Sequence, residues 1–561
     1  VRSRENLKST YLYVCEVSSK KTHHRTSMPF MVYLGYDEDG VIWVHIIAGY
    51  FENSKPIPLH VLFYALGVRN DAEILQYCCE DFDDHELMDL LIRPMRMKVQ
   101  FTDTPNREEY IKDQETAIEY IGQHFNSFYK GKINSEEERK TYVLDNLTKY
   151  LFFHIGDDFR IKTYYLGYLT NSLLKMVTGR ISATDRDNYG NKRIDLAGPL
   201  ILSIFNYDRL MSCRQINSSV ASELRKAYHI INPENMKAIL SKAIRPDITG
   251  RLKRSFSTGT WVDVKTISSQ KKGVTVLMTR KCTLDTISSM RRVVRPVLGG
   301  SQQSKDTRIR EMTNTQFGMV CPYETPEGSS TGLVKNLSLF AHVSIGDQDE
   351  HPIINMILSD AKVLPITDVH VSELKLYTKI FVNGSYIAGT RHPRDVCKRL
   401  RGHRSTGRVF FETEIVMDNE ENQIRVFTDS GRPMWPLMVV KNNRLLITSE
   451  DISRIRAGKV TWNNLLSSGK IEWMGIQETQ NNVMVAASQI DLFRANSDLL
   501  QYTHCMIHPS TILGASASLI PFSNHNPAAR NLFQCSMGKQ AMAISTMNYN
   551  HKMPTHSSLL F

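Results

Sequence analysis

The spacing of apolar positions changes character several times along the chain. Up to about residue 155 it mixes period two with period 3.6. Met31–Leu34 and Val41–Val44 read as strands on either side of the turn Asp37–Gly40, while Pro58–Leu66, Glu73–Cys79 and Glu86–Leu91 carry helical spacing. Leu166, Leu169, Leu173, Leu174 and Val177 then form one helical face that ends near Gly179. From about 340 to 485 both periods return. Ile380–Gly384 predicts a strand entering a hairpin turn, Arg391–Arg408 a basic helix and loop, and Arg425–Pro433 a strand and turn. Ile512–Ile520 predicts a helix of small apolar residues. These patterns define an α+β multidomain chain. Its 561 residues exceed what one core organises, which predicts three to five domains.

Charge adds a partner class. Lys and Arg number 69 against 58 Asp and Glu, giving +11 and a pI near 9.0, as expected of a polyanion-binding protein if the charge clusters. It does so between Arg245 and Arg310, where Arg291, Arg292 and Arg295 precede the loop Gly299–Ser304. A loop of this kind tracks a phosphate backbone or is simply a solvated basic face. Asp185–Gly198 alternates charges and reads equally as a salt-bridged corner or an exposed loop. The acidic run Glu80–Glu86 reads as the solvated start of a helix.

The nine cysteines form no CxxC pair, so a reducing compartment is expected and no zinc ribbon. His504, Cys505 and His508 lack a fourth ligand, and no metal site is assigned. No signal peptide or long apolar run points to secretion or membrane spanning. Gly538-Lys539 lacks the earlier glycine and following hydroxyl of a phosphate-binding loop. No AspxAspxAsp cluster is present, so the carboxylates for metal-assisted phosphoryl transfer are expected elsewhere.

Two stretches carry the candidate chemistry. Asn524–Met542 is a polar turn opening into a segment with Arg530, Gln534, Lys539 and Gln540, residue types that suit anionic oxygens and base or ribose edges. A capped helix with a solvated polar face is the plain alternative. Phe317–Gly328, reading FGMVCPYETPEG, packs two prolines and two glycines into an irregular backbone, which suits a site, a domain junction or an ordinary loop.

FGMVCPYETPEGSSTGLVKNL (Phe317–Leu337) resembles the fork signature of the second-largest, β-like subunits of multisubunit DNA-directed RNA polymerases. Further blocks follow that family's order. Residues 57–75 resemble its lobe, KRIDLAG within Arg186–Gly198 its protrusion, and Tyr502–Gln540 (THCMIHPS, SLIPFSNHN, ARNLFQCSMGKQ) the start of its hybrid-binding region. The blocks are closer to the eukaryotic messenger-synthesising enzyme and its large-DNA-virus relatives than to the bacterial one. The likeness is weak over the first 55 residues and over 120–160.

The resemblance implies five regions: 1–155 lobe-like, 156–250 second part of the protrusion, 251–340 fork, 341–485 external regions, and 486–561 the start of hybrid binding. It implies a full subunit of roughly twice this length, with the family's zinc site outside this segment. The implied activity is that of a nucleotidyltransferase subunit, inactive alone, with Mg2+ held mainly by the largest subunit. Implied partners are that subunit and others, template DNA, RNA transcript and nucleoside triphosphates, with no membrane. The implied location is the nucleus for a cellular chain, or virion or host cell for a viral one. Arg530 would contact the triphosphate. Lys539 and Gln540 would face RNA, Gln534 would bind nucleic acid or nucleotide, and Glu327 would lie near the hybrid. Arg291, Arg292 and Arg295 would lie at the downstream edge of the bubble. Phe533 stands where relatives often have tyrosine, Ser329-Ser330-Thr331 is unusual, and Ala543 replaces a common glycine; none touches Arg530. The competing class is a nucleic-acid-binding scaffold that supports no synthesis.

Overall fold

The computed structural model describes residues 2–5, 11–19, 30–47, 55–79, 83–101, 108–123, 136–225, 237, 248–261, 273–295, 308–347, 349–442, 444–486 and 502–541. Gly299–Ser304 and Glu80–Phe82, both singled out from the sequence, lie outside the described residues. The chain divides into two units. One comprises Val1–His24, Met28–Arg186 and Asp347–Thr428, the other chiefly Asp187–Gly346 and Asp429–Phe561.

The first unit holds an antiparallel five-stranded sheet in sequence order: Arg2–Glu5, Tyr11–Ser19, Phe30–Asp37, Ile42–Ile47 and Ile57–Pro58. Alternation works as expected here, with Val32 and Leu34 fully buried beside Ile42, Val44 and Ile46. Helices Leu59–Ala65, Asp71–Cys79 and Phe159–Val177 share that core. The predicted stripe Leu166, Leu169, Leu173, Leu174 is entirely buried, and Gly167 lets the helix sit against the Tyr77 carbonyl, where a Cβ would approach to 2.5 Å. Asp84 caps the helix His85–Met95 by accepting from the Leu87 N–H, and Arg180 pairs with both Asp84 and Glu86. The described part of the acidic run is therefore a helix start. A second sheet, ordered Val363–Pro365, Ser385–Thr390, Thr378–Val382, Gln423–Phe427, Glu414–Asp418, contains the predicted strand at Ile380. The basic helix runs Pro393–Ser405.

The second unit is centred on the nine-residue strand Pro433–Lys441, which pairs with His342–Val343, Ile471–Gly475 and His504–Met506. A long helix, Ala197–Arg225, was not read from the sequence. The charged segment 185–198 is tied into this unit from Asp187 onward. Lys192 and Arg295 share Asp187, Arg193 pairs with Asp429, and the Ile194 N–H donates to the Gly431 carbonyl at 2.7 Å. One expectation is corrected: Ile512–Ile520 is not a helix but two 3-10 turns, Pro509–Ile512 and Ala517–Leu519, joined through Gly514. Regular helix is displaced because the Leu513 carbonyl instead accepts from the Leu339 N–H at 2.8 Å.

Candidate nucleic-acid interface

Three segments of the second unit meet at one place. The first is a short helix, Thr283–Met290, followed by the strand Arg292–Val294. That strand pairs antiparallel with Val334–Asn336, the second segment, at the end of the ETPEG loop. The third is the Arg530 helix, Ala528–Gln540. Its start is organised by Asn531, whose side-chain amide donates to the Ser523 carbonyl at 2.7 Å, after the turn Ser523–His525. Cys282 links helix to helix. Its sulfur accepts from the Asp285 N–H and its thiol donates to the Lys539 carbonyl at 3.4 Å.

The loop between the strands is held by its own polar groups. The Thr325 hydroxyl donates to the Val334 carbonyl and accepts from the Gly332 N–H, both at 3.0 Å. Arg310 donates through Nη1 to the Ser329 and Thr331 carbonyls at 2.6 and 2.9 Å. Gly332 has φ +74°, and a Cβ there would lie 2.4 Å from the Arg310 carbonyl oxygen, so only glycine fits beneath this clasp.

Beneath the loop lies Glu324, only 1% exposed. Its Oε1 accepts from Ser288 and from Asn336 and Ser516 at 3.0 and 3.1 Å, and Lys539 Nζ stands 2.6 Å away. The other oxygen, Oε2, has no hydrogen-bond partner among the described residues, and Gly514 seals it: a Cβ there would sit 2.4 Å from it. A buried carboxylate is tolerated only when paired and hydrogen-bonded, and Lys539 supplies the charge. Glu324 was missed from the sequence because its partners come from four separate stretches.

Above this pair opens a cavity of about 330 Å³, bounded by Lys281, Asp285, Arg292, Glu327, Lys539 and Gln540. The structure thus brings Arg292, Glu327, Lys539 and Gln540 together. It does not place Arg530 or Gln534 on this cavity. Nine residues at 100° each set Arg530 opposite Lys539 around the helix. Arg530, Phe533, Gln534 and Met537 form the exposed stripe, Gln540 lies at its border with the cavity, and Asn531 and Cys535 are buried. The single polar face expected from the sequence is two faces. Arg291 is also placed differently: its Nη2 donates to the carbonyls of Ser338, Leu339 and Ala341, and burial lowers its pKa. Its charge is spent inside the chain. Arg295 leaves the strand, donating its N–H to the Leu333 carbonyl and its Nη1 to Asp187 at 3.3 Å.

Among the described residues no cluster of three His, Cys, Asp or Glu could hold a metal ion. His508 caps a 3-10 turn, accepting from the Ser510 N–H at 3.1 Å. In the cavity, two carboxylates face three cations, which does not fit a magnesium site. No helix among the described residues is long and apolar enough to cross a membrane.

The strand pair and the Arg530 helix thus enclose a cavity lined by three cations and two carboxylates. Four family models match the chain: RNA polymerase Rpb2 domain 2 over residues 16–195, domain 3 over 276–343, domain 4 over 380–441 and domain 6 over 516–561. Relatives agree. DNA-directed RNA polymerase II subunit RPB2 of Encephalitozoon cuniculi is 36% identical over 515 residues, covering 91% of this chain and 43% of that protein. Polymerase II subunit 2 of Arabidopsis thaliana is 35% identical over 520 residues, covering 90% and 41%. Subunit Rpo2 of the archaeon Saccharolobus shibatae is 30% identical over 520 residues, covering 90% and 42%. The chain belongs to the family of second-largest subunits of DNA-directed RNA polymerases. It spans about two fifths of the length of the curated relatives it matches.

Proposed function

We propose that this chain forms one side of the active-centre cleft of a DNA-dependent RNA polymerase, as a nucleotidyltransferase subunit that is inactive alone. The observation that carries this reading is the Arg530 helix, whose opposite faces hold a solvent-exposed guanidinium and a lysine fixed in the floor of a cavity rich in cations. Arg530 on the exposed face contacts the triphosphate of an incoming nucleotide, bidentately, and stabilises charge as pyrophosphate leaves. Gln534 lies one turn further along the same stripe and positions the same ligand. Lys281, Arg292 and Gln540, over the Glu324–Lys539 floor, face the RNA backbone, with Glu327 at the hybrid edge. Arg295 faces downstream DNA. The region assignments, from lobe at 1–155 to hybrid binding at 486–561, belong to this reading.

Mg2+ would be held by the largest subunit, since the carboxylates of this cavity do not suit it, and no step is assigned to a metal on this chain. The zinc site belongs to parts of the subunit beyond these residues. Other polymerase subunits, template DNA, transcript and nucleotides are the partners, with a nuclear location for a cellular enzyme. In the assembled polymerase, Arg530→Ala should slow nucleotide addition at least about tenfold, or about 1.4 kcal/mol, while retaining nucleic acid. Unchanged elongation at low nucleotide concentration would remove Arg530 from this role and favour a non-catalytic scaffold.

A further inference from the structure

The first unit holds a pocket of its own, built from none of the residues of the candidate interface. It opens between the edge of the five-stranded sheet, at Trp43, and the short strand Val99–Gln100, and it encloses about 460 Å³, a volume in the range of small-molecule sites. Its lining is largely aromatic. Trp43 offers ring surface alone, because its indole N–H is already donated to Asp37 Oδ2 at 2.7 Å. Phe101 and Tyr120 add an edge-to-face pair with 5.7 Å between ring centres. Such a lining accepts a flat apolar body.

His60 places a polar group among these rings. It is 4% exposed, and its Nε2 is buried with no hydrogen-bond partner among the described residues. Asp71, the carboxylate whose charge acts on it, is engaged by the Tyr64 hydroxyl. Burial outweighs that charge and brings the His60 pKa down to about 4, so the imidazole is neutral, with one donor and one acceptor nitrogen. A buried nitrogen without a partner costs stability that a ligand atom would return. The charged lining is cationic. Lys55 and Lys98 are both exposed, Lys98 Nζ lies 5.6 Å from the centre of the Tyr110 ring, and among the described residues no carboxylate lines the pocket.

We infer that this pocket binds a small aromatic carboxylate. The ligand's ring lies along Trp43, Phe101 and Tyr120, a polar ring atom meets the His60 imidazole, and the carboxylate faces Lys55 and Lys98. The pocket and Arg530 belong to different units of the chain, and the inference does not rest on the polymerase reading.

The test uses the assembled polymerase carrying the full-length subunit, with indoleacetate as probe and uncharged indole as the second arm, both followed by equilibrium dialysis. Indoleacetate should bind with a Kd of about 1 mM or tighter. Lys55→Gln with Lys98→Gln should weaken the acid about tenfold and leave indole unchanged. Lys55→Arg with Lys98→Arg should keep both. His60→Phe should weaken both ligands about fivefold. The two lysines are exposed, so their variants test the site even where His60→Phe lowers the melting point. No indoleacetate binding at about 10 mM overturns the pocket, as does binding that neither the lysine pair nor His60→Phe changes. Equal loss of acid and indole in the Lys→Gln pair overturns the carboxylate as the anchored group. Tighter binding of the peptide Glu-Trp-Glu, lost in the same variants, overturns the free acid as occupant. Arg530→Ala should leave indoleacetate binding as it is, and the lysine variants should add nucleotides at normal rates, so failure here and failure of the active-centre reading are told apart.

Discussion

Lys539 and Lys335 lie in the same unit, each on an element that borders the cavity, yet their surroundings are opposite. Lys539 faces a buried carboxylate already fixed by Ser288, Asn336 and Ser516. Lys335 faces an aromatic ring and two more cations. The first ammonium is compensated inside the protein and serves as architecture, holding the Arg530 helix to the hairpin. The second stands half-buried beside an aromatic ring with cationic neighbours, and its pKa is held down to about 8. Lysine content alone distinguishes neither.

The largest test of this contrast is Lys539→Met. It strands the Glu324 carboxylate, and unfolding of the second unit should become easier by about 3 kcal/mol, read from the urea midpoint. Adding Glu324→Gln should return more than half of that loss through coupling between the pair. A single-variant loss below about 0.5 kcal/mol, as for an exposed ion pair, would show that the pair is solvated and the contrast false. Next in size is Arg291→Leu, which leaves the Ser338, Leu339 and Ala341 carbonyls without their donor and should cost about 2 kcal/mol. A purely phosphate-contacting arginine would instead change DNA affinity and leave the midpoint in place. Ser516→Ala removes one of the Glu324 donors and should cost about 1 kcal/mol; no change would mean Ser288 and Asn336 suffice.

The smallest effect is one of pH. The Lys335 pKa is about 8 in the folded chain against an ordinary 10.5. Between those values the unfolded chain binds the proton more readily, so this residue's contribution to stability rises as pH increases through that window. Lys335→Arg should flatten this trend, and a urea midpoint whose pH profile is the same in both proteins would show that Lys335 does not titrate in this window.

The sequence disclosed what periodicity and short-range chemistry control. The Leu166–Leu174 stripe, the Ile380 strand and the helix start at Asp84 follow from local spacing, and the ETPEG and GLVKNL blocks led to the family. Ile512–Ile520 misled because small apolar residues satisfy helical spacing, whereas Gly514 is required there by the Glu324 oxygen pressed against it. Glu324 itself looked like any loop acid, because burial by residues 288, 336, 516 and 539 has no signature in spacing. The split between Arg530 and Lys539 was available from helical geometry, since nine residues turn a helix through half a revolution.

The Glu324–Lys539 contact joins residues roughly 200 positions apart, and this separation has a meaning in time. At a synthesis rate of about 5–20 residues per second, the hairpin leaves the ribosome some 10–40 s before the lysine that neutralises its buried carboxylate. During that interval Glu324 can be hydrated but not paired, so the hairpin cannot close over it without burying a bare charge. Final packing of this part of the second unit therefore waits for the Arg530 helix to be made.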